Sequence, residues 1–282
     1  MRIYNMSGRA FLGTDSGAVD IENVSNGAFS SDVQSLYSRW GEFTQWASGF
    51  EGGPGVEIDK SALGSPVPLP PQIFAIGLNY RDHALESGLD IPEIPVVFGK
   101  FPASVTGPYG KILLPDGAVD FETELVVVIG KRAESVRAAD AWSHVAGLTV
   151  GQDVSERHTQ WRGTAPQQFG LAKSFPGFSP MGPVLVSPDE FENPDDLELG
   201  CSVNGTSMQK SRTSDMIFTI PEIIEYLSHI VPLLPGDAIF TGTPAGVGFS
   251  RNPKVLLGAG DTLTTYVEGI GEMHHTFGLR AV

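Results

Sequence analysis

The sequence predicts a strand-rich α+β fold with a small N-terminal α/β unit, and three observations lead there. From Gln72 onward, short apolar runs alternate with Gly, Pro and Asp turns. Among these runs one helix announces itself, at Thr219-Ile220-Pro221-Glu222, a capping box with proline early in the first turn. Before residue 68 the pattern differs. Two short strands near residues 1–5 and 9–13 precede a helical run over 36–47, and a Gly/Pro/Ser-rich segment from Gly52 to Pro71 then favours an extended linker. These features divide the chain into a small N-terminal domain, 1–68, and a larger domain, 69–282.

In the larger part the apolar runs at 73–77, 96–98, 111–114, 125–129, 183–186, 199–203, 238–240 and 262–267 read as strands. The 34 glycines and 21 prolines are enough to turn the chain between so many short segments. Behind the capping box, Ile220, Ile223, Ile224, Leu227 and Val231 form one apolar stripe at helical spacing. A second helix is expected over 138–145. Pro235-Gly236-Asp237 and Ala259-Gly260-Asp261 are turns that each precede a strand.

Composition narrows the class. With 41% hydrophobic and 18% charged residues over 282 positions, the chain is globular and long enough for a large core. Eighteen basic against 33 acidic residues give a net charge of −15, which argues against nucleic acid or an anionic membrane as partner. Cys201 is the only cysteine, so there is neither an intrachain disulfide nor a thiolate cluster for structural zinc. The first residues lack the apolar core of a signal peptide, and no apolar run reaches the ~20 residues that span a bilayer. A cytoplasmic protein is expected.

The chemistry concentrates at five ionisable positions. If the run after Asp120 is a strand, Glu122 and Glu124 point the same way, since side chains alternate faces. Neighbouring carboxylates repel unless they are solvated, share a proton or hold a cation, and the Val-rich continuation argues for burial. Asp153 ends another apolar run, 145–152. Three carboxylates without a thiolate suit a hard cation, Mg²⁺ first and Mn²⁺ or Ca²⁺ next. Upstream, His83 and Glu86 stand three apart and share a face on one helical turn. Taken singly, each pair is also what a solvated strand face or helix surface displays. Lys173, alone in an apolar and aromatic stretch, either snorkels to the surface or supplies positive charge to a substrate carboxylate or oxyanion. The glycine-rich run Thr241-Gly242-Thr243-Pro244-Ala245-Gly246-Val247-Gly248 has neither the P-loop ending nor the dinucleotide-fold glycine order. It serves a close backbone approach or a sharp turn. His274-His275 reads as a strand-edge pair.

Several motifs occur in order. They are Asn79-Tyr80-x-Asp82-His83-x-x-Glu86, Phe121-Glu122-x-Glu124-Leu125, Gln152-Asp153-Val154-Ser155-Glu156-Arg157, Ala172-Lys173-Ser174-Phe175, Val203-Asn204-Gly205, Met216-Ile217-Phe218, and Pro235-Gly236-Asp237 through Gly248. Together, over roughly residues 70–275, the chain resembles the fumarylacetoacetate hydrolase family. The resemblance implies a mixed β-sandwich roll and a homodimer. It implies Glu122, Glu124 and Asp153 as ligands of Mg²⁺ or Mn²⁺, and His83 with Glu86 as a catalytic pair on a lid. It places Lys173 beside the reacting groups, and Gln160, Arg157, Thr243 and Tyr80 at the substrate. Gln152 stands where many members carry asparagine. The expected reaction is hydrolysis of a carbon–carbon bond in a small β-diketo acid of the acylpyruvate type, giving a carboxylate and pyruvate. An oxaloacetate-type decarboxylase or an unsaturated keto-acid isomerase on the same metal site is the alternative.

Overall fold

The run from Thr123 to Ile129 is apolar at successive positions because both of its faces are covered. It forms the strand Thr123–Ile129 near the middle of an 11-stranded sheet. Leu125, Val127 and Ile129 enter one core, shared with Ile220, Ile223, Ile224 and Leu227 and with Leu199 and Val267 of a second sheet. Val126 and Val128 enter another core, closed by Ile3, Leu36, Tyr37, Trp40 and Phe43. The computed structural model describes residues 1–165 and 167–280.

Across the large sheet the order is Gly17–Asp20, Arg9–Thr14, Arg2–Met6, Ser179–Val186, Val145–Gln152, Thr123–Ile129, Ala238–Phe240, Ile73–Gly77 and Val96–Gly99, with Leu63–Gly64 and Val105–Thr106 attached at the side. The second sheet runs Thr206–Arg212, Glu198–Val203, Thr262–Val267, Gly271–Leu279 and Tyr109–Leu114. Most neighbours are antiparallel, but Ala238–Phe240 lies parallel to Ile73–Gly77 and Gly271–Leu279 parallel to Tyr109–Leu114. The fold is a strand-rich α+β arrangement of mixed sheets and not a closed barrel.

Residues 1–68, read from the sequence as a unit of their own, are hydrogen-bonded into this sheet. Arg2–Met6 pairs with Ser179–Val186 in the register Arg2↔Val186 and Ile3↔Leu185. The reason is burial: Val126 and Val128 need an apolar cover, and the N-terminal helices supply it. The expected helix over 36–47 is two helices, Val33–Ser38 and Trp40–Ser48, separated at Arg39 by a non-helical backbone.

The helix behind the capping box is Ile220–Ser228. Both capping bonds form: Glu222 N donates to Thr219 Oγ1 at 3.4 Å, and Thr219 N donates to Glu222 Oε2 at 2.8 Å. Val231 falls beyond its end. The helix expected over 138–145 is a tighter 3₁₀ helix, Ala138–His144, because Val145 already begins a strand. The strand-edge reading of His274 and His275 is corrected. They lie within Gly271–Leu279, which has a strand on either side, and His275 is buried with its Nε2 at Gly107 O, 3.0 Å away. Among the described residues, no helix is long and apolar enough to cross a membrane.

Candidate active site

Alternation along the strand that contains Leu125–Ile129 decides where the acids go. Glu122 and Glu124 share the face of Val126 and Val128, but they lie at the end of the strand that the N-terminal helices do not reach. Asp153 follows directly after Val145–Gln152, the strand paired with Thr123–Ile129 in the register Thr123↔Gln152. Carboxylate oxygens of Glu122, Glu124 and Asp153 therefore lie within 4.8 Å of one another, all buried.

Buried carboxylates need partners. Lys173 Nζ donates to Glu122 Oε2 at 2.7 Å and to Asp153 Oδ2 at 2.6 Å. Arg157 donates to Glu122 Oε1 at 2.7 Å, to Asp120 Oδ2 at 2.6 and 3.0 Å, and to Gln160 Oε1 at 2.8 Å. Burial alone would push Glu122 up, but the charges of Lys173 and Arg157 hold its carboxyl at about 2. Burial would likewise draw Lys173 down, yet Asp153 and Glu122 keep it above its ordinary value. Lys173 is thus a fixed cation and not a base.

Two members of this network escaped the sequence reading. Lys100, fully buried, donates to Asp153 Oδ1 and to Phe178 O at 3.0 Å, and lies 4.6 Å from the centre of the Phe240 ring. Asp120 accepts from Arg157 and from the amides of Gly248 and Phe249, at 2.8 and 3.0 Å. The available signal was weak: a lysine between aromatic residues at a strand end, and an acid at the head of the Glu122/Glu124 strand.

Glu124 differs from its neighbours. Among the described residues its carboxylate has one hydrogen bond, from Gly242 N at 2.7 Å, and no cation contact. Burial, then the charges of Asp153 and Glu122, push its carboxyl well above the usual range. Four buried carboxyl groups (Asp120, Glu122, Glu124, Asp153) stand against three buried basic side chains (Lys100, Arg157, Lys173), so that with all of them ionised one negative charge, at Glu124, would be in surplus. An oxygen-only donor set with that surplus fits a hard divalent cation. With such a cation the cluster would carry one net positive charge, matched to a monoanion.

The glycine-rich run proves to be a holder of carboxylates. Gly242 N donates to Glu124, Gly246 N to Glu86 Oε2 at 2.9 Å, and Gly248 N to Asp120. Gly242 and Gly246 both have φ of +105°, and a Cβ there would stand 2.6 Å from Asn79 Cβ and 2.3 Å from Met208 O. Only glycine can aim these amides.

His83 and Glu86 share the first turns of the helix Arg81–Glu86, and His83 Nδ1 lies 2.8 Å from Glu86 Oε1. The other ring nitrogen makes no hydrogen bond among the described residues. Asn79 anchors the segment, donating to Thr241 O at 2.7 Å and Phe218 O at 3.0 Å.

One cleft of about 180 Å³ is lined by His83, Glu122, Glu124, Asp153, Arg157, Gln160, Lys173 and Thr243 together with Ser87, Ser250 and apolar side chains. Glu86 stands behind His83. The Thr243 hydroxyl accepts from Gln209 Nε2 at 2.7 Å, leaving its own proton to donate. Tyr80, expected at the substrate, is absent from the lining: its side chain packs in the main core with its hydroxyl buried. It points the other way because it immediately precedes the helix that turns His83 inward.

Comparisons with known proteins bear on the family and the fold. The family description "Fumarylacetoacetate (FAA) hydrolase C-terminal" matches residues 72–278. A mitochondrial oxaloacetate tautomerase, FAHD2A of Bos taurus, is 44% identical over 209 residues, 73% of this chain and 66% of that protein. The chain thus spans just under two thirds of that relative's length. A crystal structure from Mycobacterium smegmatis, described as an HpcE protein, superposes with a TM-score of 0.95 at 51% identity over the whole of both chains. The maleylpyruvate hydrolase of Sphingobium sp. SYK-6 superposes with a TM-score of 0.79 at 27% identity, over 99% of this chain and all of that one. The chain belongs to the fumarylacetoacetate hydrolase family.

Proposed function

We propose that this chain moves a proton at the carbon beside the keto group of a 2-keto acid, interconverting its keto and enol forms. One observation carries the reading: the free nitrogen of His83 and the three-carboxylate cluster face the same cleft. A divalent ion held by Glu122, Glu124 and Asp153, Mg²⁺ before Mn²⁺, would supply Lewis-acid polarisation of the keto oxygen. In the keto-to-enol direction His83 Nε2 takes the proton from carbon 3 and hands it to the keto oxygen, and in the reverse direction it returns the proton to carbon 3. Glu86, at His83 Nδ1, fixes the tautomer and offsets the imidazolium charge, while Gly246 N holds Glu86 in place. Lys173 and Arg157 stay charged and set a positive field around the substrate carboxylate. The Thr243 hydroxyl and the Gln160 amide are the remaining donors that orient it.

Tautomerisation asks for nothing beyond this proton relay, and the relative named an oxaloacetate tautomerase supports it. The hydrolysis of an acylpyruvate is the second reading, favoured by the likeness to a maleylpyruvate hydrolase. It requires in addition a water molecule placed for attack in a cleft whose outer walls are apolar. The substrate is a small keto acid in either case.

The experiment measures two rates on one preparation with Mg²⁺: deuterium exchange at carbon 3 of a 2-keto acid, and cleavage of acetylpyruvate. In His83→Ala the exchange rate should fall by the ~10²–10⁴-fold that general-base catalysis supplies. Exchange at the wild-type rate in that variant would sink the proton-relay assignment. Cleavage faster than exchange in the wild type would favour hydrolysis.

A further inference from the structure

We propose that the substrate carries an apolar, uncharged group, aromatic or branched aliphatic, on the far side of its keto group. The inference rests on the reading above, in which the keto-acid end sits at Glu122, Glu124 and Asp153.

The cleft leaves that cluster along a continuous row of rings. Lys173 Nζ, bound to Glu122 and Asp153, lies 5.3 Å from the centre of the Phe98 ring. The Phe98 ring is 5.6 Å from that of Phe169, and Phe169 is 6.0 Å from Trp161. All three line the cleft, and Trp161, 46% exposed, stands at its mouth. The remaining wall is closed by Leu89, Val247 and Phe249. A group extending outward from the keto carbon therefore meets mainly apolar side chains, with the uncharged hydroxyls of Ser87 and Ser250 as polar exceptions.

The charges agree. The cations in the lining are Arg157 and Lys173, and each is already spent on two carboxylates at the bottom of the cleft. Lys254 lies 3.4 Å over the Phe249 ring but is exposed and outside the lining. A second carboxylate on the substrate would be desolvated against rings without a counter-charge, which is costly, whereas an apolar group gains in proportion to the area it buries.

Unreactive probes test this directly. Oxamate, N-benzyloxamate and N-oxalylglycine share the keto-acid-like end and differ in their distal group: none, apolar, and carboxylate. Their affinities for the Mg²⁺-loaded protein are measured by titration calorimetry. N-benzyloxamate should bind ~10-fold or more tightly than N-oxalylglycine, as burial of a ring allows. Trp161→Ala and Phe169→Ala should shrink that ratio toward one. Equal or tighter binding of N-oxalylglycine, or a ratio unmoved in both variants, overturns the proposal. Glu124→Gln separates the two levels: if oxamate binds it as well as the wild type, the placement of the keto-acid end fails and takes this inference with it. A probe ratio that fails while oxamate depends on Glu124 removes the inference alone.

Discussion

One face of the strand Thr123–Ile129 and its N-terminal extension carries two different answers to burial. At one end Val126 and Val128 are covered by Ile3, Leu36, Tyr37, Trp40 and Phe43. At the other end Glu122 and Glu124 are as deeply buried but face Lys173, Arg157 and each other. The carboxylates near the two ends sharpen the contrast. Asp237 lies beside the apolar end, its backbone oxygen accepting from Ile129 N. Among the described residues it has no cation partner, and burial pushes it up to about 6 even though the amides of Leu234 and Gln72 bond to it. Glu122, equally sequestered, is held at about 2 by two cations. The same backbone thus presents a stabilising end, where packing is the whole of the energetics, and a costly end, where charge is stored for use on a ligand.

The largest effect belongs to the acidic end. Chelation of the divalent ion, or Glu124→Gln, should lower proton exchange on a 2-keto acid by ~10²–10³-fold, the equivalent of several kcal/mol of charge stabilisation. Because Glu124 has no cation partner among the described residues, the metal-free Glu124→Gln protein should melt no lower than the metal-free wild type, while the rise in Tm on adding Mg²⁺ should vanish. A marked drop in its metal-free Tm would show that Glu124 serves packing and that the two ends are alike.

At the apolar end the expectation reverses. Phe43→Ala opens a cavity beneath the N-terminal helices and should cost ~3–5 kcal/mol of stability in denaturant unfolding, while the rate per folded molecule holds. A loss of catalytic rate that outruns the loss of folded protein would mean that the ends are mechanically coupled.

The smallest effect is a pH dependence. The Asp237 carboxyl titrates higher in the folded chain than in the unfolded one, so its neutral form stabilises the fold. That contribution is complete below about 4, the unfolded value, and is lost as pH rises through about 6. The stability difference between wild type and Asp237→Asn should therefore shift against the wild type across this window and be flat above it. A shift in the opposite direction would mean that the amides of Gln72 and Leu234, rather than burial, dominate at this site.

Local pattern determined much of this protein by itself. The helix Ile220–Ser228 and its capping box, the strands Ile73–Gly77, Ala238–Phe240 and Thr262–Val267, and the shared face of Glu122 and Glu124 all follow from spacing and end signals over a few residues. The pairing of His83 with Glu86 is of the same kind, three positions on one helix. Only the tertiary structure decided the rest, since each remaining feature joins residues far apart in the chain. Lys100 reaches Asp153 across 53 positions, Gly246 reaches Glu86 across 160, and Arg2–Met6 adds to a strand that begins at Ser179. Tyr80 went to the core and Lys173 to the carboxylates because a side chain's partner is set by which surfaces the sheet brings together. Alternation and capping state which way a residue points along its own element, and they carry no information about what will be waiting there.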